Sequence, residues 1–259
     1  MQKRWLYALG LLVLITVTVW GAVLIYPDKN LHIIACDVGQ GDAMLIYSGT
    51  SQILVDGGPD KSVLECLEKY IPFWDRSIEI VILTHPETDH YKGLTYVFRN
   101  YNVQDFLTSG LSSSSEGYRV LKDEVVGSDT RVTLVGSGRE VRSGLIHLDI
   151  VWPTEEFVYE NSVGGKGDVL SLFTTEKNLN DFSLVMILRY KEFDALLTGD
   201  IETETSDMVS EELALRPKVE WEYIKVPHHG SKNGISSKLL EVSNPEVAVI
   251  SSGRGNRYG

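Results

Sequence analysis

The stretch that decides the fold runs from Ile80 to His90 and reads Ile-Val-Ile-Leu-Thr-His-Pro-Glu-Thr-Asp-His. Its first four residues form an apolar run that predicts a buried strand. Two imidazoles and two carboxylates follow within six residues, from His85 to His90, which packing alone does not explain. Neutral imidazole together with carboxylate suits a borderline or hard divalent cation such as zinc or manganese. We therefore predict a metal site where this strand ends.

Two later motifs supply more candidate ligands. Asp200 ends the run Leu-Leu-Thr-Gly-Asp, and His228 and His229 lie within Val-Pro-His-His-Gly-Ser. The chain has six histidines, and four of them fall in the clusters at 85–90 and 228–229. Scattered structural histidines would not be distributed in this way. We therefore expect both motifs to contribute ligands.

Composition limits the class of protein. The 259 residues suffice for one large α/β domain or two small ones, and 43% hydrophobic with 23% charged residues is typical of a folded chain. The net charge of −12 argues against nucleic-acid binding by the whole surface, but a bound metal could still create a local positive site. The two cysteines, Cys36 and Cys66, are too few for a disulfide framework, and we predict that both are free and buried.

The N-terminus predicts a membrane anchor over residues 1–27. Lys3 and Arg4 precede an uncharged stretch, Trp5–Tyr26, that is long enough to span the ~30 Å hydrocarbon core as a helix. The basic flank places the N-terminus in the cytoplasm and the rest of the chain, residues 28–259, outside. The alternative is a cleaved signal peptide and a secreted protein.

The rest of the chain alternates between strand and helix patterns. We expect an exposed loop at 109–117 and an insertion or active-site loop at 153–180. The order of elements favours two sheets packed face to face, with helices outside and ligands on loops at one edge. Strands are predicted at 31–36, 42–47, 52–56, 78–84, 103–107, 131–135, 145–152, 182–190, 195–198, 222–226 and 247–251, and helices at 63–70, 94–100, 118–126, 202–213 and 235–242.

Seven motifs in one order resemble the metallo-β-lactamase superfamily, and most closely the hydrolase domain of the ComEC family of DNA-uptake proteins. The resemblance covers the hydrolase module only. It implies an α/β fold of the αββα sandwich type, a site for two divalent metal ions (Zn or Mn) and hydrolytic chemistry. The motifs are Asp37–Ala43, Ile53–Gly58, His85–His90, Asn180–Val185, Leu196–Asp200, Lys225–Ser231 and Gly253–Gly259.

The chain departs from the family pattern at three places. Glu87 stands where the superfamily usually has a second histidine, and an oxygen ligand there weakens the case for zinc alone and strengthens that for manganese. His147 is the one histidine between His90 and Asp200, and we predict that it is structural. In the family a histidine often follows the Tyr-Gly pair, which leaves open a C-terminal truncation of the domain at Gly259.

The resemblance also implies the roles of the ligands. His85 and Glu87 would hold the first metal ion and Asp89 and His90 the second, with Asp200 bridging. Either His228 or His229 completes the shell, and the sequence leaves that choice open. Asp89 and Asp200 are the candidate catalytic residues. Asp89 would also hold the nucleophilic water, and Asp200 would bridge the two metal ions.

Other residues are candidates for supporting roles. Asp56 is expected to orient a ligand histidine through its second ring nitrogen. Asp37 and Asp42 would do the same, or would cap turns around Gly39 and Gly41. For Ser231 and Lys232, which follow the histidine pair, the alternative to phosphate binding is that Ser231 caps a helix and Lys232 is a solvated loop residue. Candidate phosphate-binding residues are Ser231, Lys232, Arg254, Asn256 and Arg257.

Three functions remain open from the sequence. The first is a membrane-anchored phosphodiesterase, such as a DNase acting on single-stranded DNA. The second keeps the site but changes the substrate to phosphocholine, another cell-envelope phosphodiester or a β-lactam type of acyl bond, because fold does not settle substrate. The third is a binding module that kept the fold and lost the chemistry. The sequence indicates no protein partner.

Overall fold

Two six-stranded sheets pack face to face in the computed structural model, which describes residues 2–164, 169–217, 219–254 and 256. The helices are α1 (Gln2–Ile25), α2 (Ser62–Tyr70), α3 (Thr88–Asn100), α4 (Glu116–Val126), α5 (Glu155–Asn161), α6 (Thr203–Ala214) and α7 (Ser237–Ser243). The strands are β1 (His32–Ala35), β2 (Met44–Ser48), β3 (Ser51–Val55), β4 (Ser77–Leu83), β5 (Asn102–Thr108), β6 (Arg131–Leu134), β7 (Glu140–Ser143), β8 (Ile146–Trp152), β9 (Val163–Gly164), β10 (Phe173–Thr174), β11 (Val185–Tyr190), β12 (Phe193–Leu197), β13 (Tyr223–Lys225) and β14 (Val247–Val249).

The first sheet has the order β1-β2-β3-β4-β5-β6. Strands β1 to β3 form an antiparallel meander, and β3 to β6 run parallel with α2, α3 and α4 as crossovers. Since parallel strands end at the same edge, the residues after β3 and β4 are brought together there. We call this edge the site edge and the opposite one the anchor edge.

The second sheet has the order β14-β13-β12-β11-β8-β7, with β12, β13 and β14 parallel. Its β12 and β13 also end at the site edge, where the backbone N–H of Leu184 donates to the Thr84 carbonyl across the two sheets at 3.0 Å. Loops from both sheets therefore meet at this edge. The expected sandwich with helices outside is confirmed.

Successive side chains of β4 point to opposite faces of the sheet, so one apolar run packs into two hydrophobic cores. Along β4, Ile80 and Ile82 pack between the sheets, whereas Val81 and Leu83 pack against the helices of the first layer. All four side chains are at most 5% exposed. A third apolar cluster lies between the second sheet and α5, α6 and α7. The strand before the ligands is thus buried on both faces, which gives those ligands a rigid base.

The prediction of free cysteines was wrong. Cys36, just after β1, forms a disulfide with Cys66 of α2, with the two Cα atoms 5.6 Å apart. Sequence spacing could not reveal the pair, because 30 residues and a hairpin separate the two cysteines. The bond fastens the first helix of the outer layer to the strand that follows the N-terminal segment.

Several boundaries also differ from expectation. Helix α3 begins at Thr88, inside the motif, and not at residue 94. The expected insertion or active-site loop at 153–180 contains α5 and the paired strands β9 and β10. Strand β7 was missed, and the start of the expected exposed loop at 109–117 is buried, because Leu111 bridges to Phe173. These elements are fixed by tertiary contacts and not by local pattern.

Helix α1 is long and apolar enough to cross a membrane between Lys3 and Gly21, and no part of that window is buried in the protein. Length and composition alone support this reading. A signal sequence passes the same test.

Reduction of the disulfide should destabilise the domain. Closing a loop of about 30 residues restricts the unfolded chain, and we expect loss of the bond to lower the free energy of unfolding by about 2–4 kcal/mol. Urea unfolding with and without dithiothreitol measures this difference. Two thiols titrating in the unfolded, unreduced protein would contradict the bond.

Candidate metal centre

Three imidazoles from separate elements converge at the site edge. His85 follows β4, His90 lies in the first turn of α3, and His229 follows β13. The ring centroids of His85 and His90 are 4.2 Å apart, and those of His90 and His229 are 5.6 Å apart. All three residues are at most 1% exposed. Imidazoles buried this deeply need hydrogen-bond partners or a bound cation, because an unsatisfied polar group is costly away from water.

His90 is oriented by Asp56, which lies directly after β3. The His90 Nδ1–H donates to Asp56 Oδ2 at 2.8 Å, and the backbone N–H of Thr84 donates to Asp56 Oδ1 at 2.8 Å. Asp56 has a φ of 59°, in the left-handed region that few non-glycine residues adopt. This conformation turns the carboxylate toward the histidine, which leaves His90 Nε2 facing Asp200 Oδ2 at 3.2 Å.

His85 presents a free ring nitrogen to the cluster. The Thr84 hydroxyl donates to Asp56 Oδ2 at 2.7 Å, so its oxygen can only accept from His85 Nδ1–H, at 3.1 Å. This favours the tautomer with a lone pair on His85 Nε2. That atom is buried and has no hydrogen-bond partner. Burial, and then the charge of His90, hold the pKa of His85 well below its usual value, so it stays neutral and suited to a metal.

His229 repeats the arrangement from the other sheet. Its Nδ1–H donates to the Ser251 carbonyl at 3.0 Å. Its Nε2 lies 3.0 Å from Asp200 Oδ2 and 3.3 Å from Asp89 Oδ2. The φ of 54° at His229 is again left-handed, and the glycine that follows it continues the turn. All three histidines therefore use Nδ1 for support and direct Nε2 inward, the pattern that fixes metal-ligating imidazoles.

The donor set fits a divalent metal. Among the described residues, four overlapping groups have ligand atoms within 4.8 Å of one another, and they draw on His85, His90, His229, Asp42, Asp56, Asp89 and Asp200. Imidazole nitrogen and carboxylate oxygen are ligands for zinc and manganese. The unpartnered His85 Nε2 supports the fit independently, because a buried polar atom without a partner is costly.

Two of the expected ligands lie outside these groups. Glu87 is half-buried at the position before α3, where burial and then the nearby Asp89 raise its pKa. His228 turns away from the cluster, with its Nδ1 3.7 Å from Glu202 Oε1. Between the two histidines that the sequence left open, the geometry favours His229.

Lys225 is the residue that the sequence interpretation missed. It ends β13 with its side chain 5% exposed, and its ammonium donates to the Gly199 carbonyl at 2.6 Å and to Asp200 Oδ1 at 2.8 Å. The ammonium also contacts the Asp42 carboxylate. Asp200 therefore commits Oδ1 to lysine and keeps Oδ2 for the histidines. Because a cation already neutralises the Asp42–Asp200 corner, we do not assign a metal there.

Asp42 contacts Lys225, and its Oδ1 lies 3.7 Å from His229 Nδ1, whereas Asp37 is exposed and belongs to none of the four groups. Burial raises the pKa of Asp42 despite the lysine. Gly41 lets the preceding loop reach the site, since a Cβ there would lie 2.3 Å from the Asp89 carbonyl. Asp42 N–H donates to that same carbonyl at 3.2 Å.

The candidate phosphate-binding residues are spread around the histidine pair. Ser231 is buried, Lys232 is exposed, and Asn256 Nδ2 donates to the His229 carbonyl at 3.2 Å. Arg257 lies outside the described residues. The alternative of Ser231 as a helix cap was wrong, because Ser236 caps α7 by accepting from Leu239 N–H.

His147 lies within β8, opposite Arg142 and Arg189 on the neighbouring strands. It belongs to none of the groups found among the described residues. His147 thus lies inside the sheet and away from the site edge, and its structural role stays a prediction.

Protonated imidazoles balance the charge of the carboxylates in the cluster. Burial opposes the charged form of His229, but its contacts with Asp200 and Asp89 raise its pKa to about 9. Burial also opposes charge on His90, and Asp200 and Asp56 outweigh it, so the pKa of His90 is well above its usual value. The same contacts, led by Lys225, overcome burial and hold the pKa of Asp200 low. A metal must displace these protons.

Replacement of Lys225 by methionine should damage the centre. Removing one partner of a buried charge group leaves Asp42 and Asp200 uncompensated, at a cost of about 3–5 kcal/mol of folding free energy. We also expect weaker metal binding, since Asp200 loses its fixed orientation. Chemical unfolding and metal titration measure both effects. Lys238→Met, at an exposed ion pair, is the matched control, and equal behaviour of the two variants would refute the role.

Metal binding should release protons and strengthen as the pH rises. With the pKa of His229 near 9, its ring is protonated at pH 7 and must lose that proton to coordinate. Each released proton gives about a tenfold change in apparent affinity per pH unit, and the gain ends above the pKa. Calorimetry in buffers of different ionisation enthalpy counts the protons. His147→Gln should leave the count unchanged, and an affinity that is flat from pH 7 to 9 would contradict the protonated cluster.

Comparisons with known proteins agree with this architecture. A recombination protein 2 of Haemophilus influenzae is 29% identical over 86% of this chain, and a ComE operon protein 3 of Bacillus subtilis is 25% identical over 99%. The chain spans 24% and 33% of the lengths of these two relatives, which are of the ComEC type.

Among solved structures, the metallo-β-lactamase fold protein YhfI of Bacillus subtilis superposes with a TM-score of 0.52, covering 85% of each chain at 12% identity, which supports the fold alone. The model of the metallo-β-lactamase superfamily matches residues 36–254 and so includes every described residue of the cluster. This chain belongs to the metallo-β-lactamase superfamily.

Proposed function

We propose that this metal-dependent hydrolase is a membrane-anchored phosphodiesterase that cleaves DNA, with single-stranded DNA as the preferred form. The observation that carries the proposal is the convergence of three inward Nε2 atoms on Asp200 and Asp89 at one sandwich edge. Such a donor set serves hydrolysis by an activated water. The resemblance to ComEC-type proteins supports the choice of DNA among phosphodiesters.

Residues of the site have separate roles in this proposal. His85, His90, His229 and Asp200 would hold the divalent metal, whose chemistry would be activation of a water. Bound ions lower the pKa of a water toward ~7 and neutralise charge on the phosphoryl group. Lys225 keeps Asp200 in position, and Asp56 does the same for His90.

Asp89 is suited to handle the proton of the attacking water. Its side chain is 27% exposed, whereas those of His229 and Asp200 are at most 3% exposed, so Asp89 borders the mouth of the site. Contacts with His229 and His90 outweigh burial and lower the pKa of Asp89. A carboxylate that is ionised and reaches solvent can orient the water and accept its proton.

The disulfide supports an extracytoplasmic hydrolase domain at residues 28–259. Disulfides persist in oxidising compartments and are rare in the cytosol. The Cys36–Cys66 bond lies in the layer that follows the N-terminal segment. Together with Lys3 and Arg4 before the span, it favours a cytoplasmic N-terminus at the anchor of residues 1–27. Cleavage of that segment would give a secreted form of the same enzyme.

One observation favours a second substrate class. The net charge of −12 opposes broad contact with DNA, and a small cell-envelope phosphodiester such as a phosphocholine ester needs no extended basic surface. The catalytic groups would be the same. The assay below separates the two classes.

The test uses the full chain purified in detergent with manganese or zinc. Labelled single- and double-stranded DNA, bis(p-nitrophenyl) phosphate, a phosphocholine ester and a chromogenic β-lactam are the substrates. We expect metal-dependent cleavage of DNA, and we expect Asp89→Asn to lower kcat by about 10²–10⁴-fold because the water loses its base. Asp129→Asn, an exposed residue at the anchor edge, is the control.

Three outcomes would redirect the assignment. Cleavage of the small diesters without DNA cleavage supports the envelope phosphodiesterase. Hydrolysis of a β-lactam alone supports an acyl hydrolase. Metal binding without hydrolysis of any substrate supports a binding module on the same fold.

A further inference from the structure

The segment between the membrane helix and the domain is very short. The Asp28 carbonyl accepts from Gly49 N–H at 2.8 Å, in the β2–β3 turn, and the Lys29 carbonyl accepts from the hydroxyls of Ser48 and Tyr190 at 3.1 and 2.5 Å. Two residues separate Asp28 from the end of α1 at Ile25. An extended chain covers at most about 3.3–3.6 Å per residue, so about 10 Å of chain joins the helix end to the domain.

The β2–β3 turn belongs to the anchor edge. At this edge it lies beside the loop before β4, because Gln52 Nε2 donates to Asp75 Oδ2 at 2.9 Å. The loop is held on its other side as well, since Asn102 N–H donates to the Arg76 carbonyl at 2.7 Å. The β7–β8 turn is also near, because a Cβ on Gly144 would lie 2.9 Å from Ser51 Oγ. The short tether therefore brings this whole edge close to the end of α1.

The same edge exposes large apolar side chains. Phe73 is 79% exposed and Trp74 46% exposed, next to each other in the loop before β4, and Leu145 of the β7–β8 turn is 59% exposed. The loop is ordered by its own contacts, with Asp75 N–H donating to the Pro72 carbonyl at 2.8 Å. Two adjacent aromatic side chains with this much exposed apolar area on an ordered loop mark a contact surface.

Cations flank the aromatic pair. Lys69 and Arg76 are exposed on either side of the loop. Each lies against a ring, with Lys69 Nζ 4.8 Å from the centroid of Tyr70 and Arg76 Cζ 5.3 Å from that of Tyr101. Tryptophan and phenylalanine beside lysine and arginine suit the interfacial zone of a bilayer, where rings enter the headgroup layer and cations meet lipid phosphates.

We propose that the anchor edge rests on the lipid bilayer and that Phe73 and Trp74 insert into its interfacial region as a second attachment. The attachment depends on the membrane anchor proposed above and not on the chemistry of the site, whereas its consequence for the substrate also rests on the proposed function. The contact fixes the orientation of the domain, which attachment at a single point would not do.

The orientation sets the substrate class. Strand β4 runs from the loop at the anchor edge to the ligands at the site edge over seven residues, or about 23 Å. The cluster therefore faces away from the membrane and cannot reach the headgroups of the leaflet on which the domain rests. Its substrate is a phosphodiester that arrives from the aqueous side, as a DNA strand does, and not a phospholipid of the same membrane.

The test places the full chain in vesicles of phosphatidylcholine and phosphatidylglycerol. Phe73→Cys and Tyr159→Cys each receive an environment-sensitive fluorophore, since the native cysteines are paired. Tyr159 is 88% exposed on α5, beyond the end of β8 at the site edge, and is the matched control. Lipids with a spin label high on the acyl chain then act as the quencher. We expect about twofold quenching and a blue shift at position 73 and neither effect at position 159.

A second variant tests the loop without a label on it. With the fluorophore at Leu145→Cys, Phe73→Ser together with Trp74→Ser should reduce quenching at position 145 while the protein still floats with the vesicles. Equal quenching at 145 with and without the aromatics would overturn the proposal.

The outcomes separate this inference from the proposed function. Flotation without quenching at position 73 overturns the contact between the anchor edge and the bilayer, but it leaves the membrane anchor and the proposed hydrolase unaffected. A blue shift there without lipid quenching also overturns it, because the loop would then lie against a protein. Absence of flotation overturns both the membrane anchor and the contact between the anchor edge and the bilayer, whereas the nuclease assay in detergent is unaffected.

Discussion

The buried carboxylate of Asp56 is the constraint on which the site depends. It accepts from Thr84 N–H, from the Thr84 hydroxyl and from His90 Nδ1, and it therefore joins the ends of β3 and β4 to the first turn of α3. The same contacts determine which nitrogen each of two histidines presents. Because each donor is committed, small movements of one strand end would change the tautomer or direction of a ligand. Asp56 adopts a left-handed backbone conformation in this geometry, which is strained for a residue other than glycine.

A second buried charge group fixes the opposite side of the cluster. Lys225 holds one oxygen of Asp200 and leaves the other to His90 and His229. Asp56 and Asp200 thus lie at strand ends of different sheets, and the ligand cluster forms only when the two sheets pack together. Folding and metal affinity are coupled for this reason, since the unfolded chain offers no such set of ligands.

The two edges of the sandwich have opposite chemistry. One has imidazoles and carboxylates at its strand ends, and the other contacts the segment that follows α1 and exposes Phe73 and Trp74. Parallel strands produce this polarity directly, because every strand of β3 to β6 begins at one edge and ends at the other. In the proposed orientation, attachment and hydrolysis are kept about one strand length apart.

Much of the fold was predictable from the sequence alone. The apolar run of β4 and the motifs around His85, Asp200 and His229 determined the fold class, the superfamily and the presence of a metal site, because strand periodicity and ligand chemistry are local properties. The early start of α3, strand β7 and the Cys36–Cys66 bond were not predictable, since each depends on residues distant in sequence. Only the tertiary structure separated His229 from His228, left Glu87 outside the ligand groups and revealed Lys225. Those outcomes depend on where two sheets bring side chains into a common space, and local pattern carries no information about that distance.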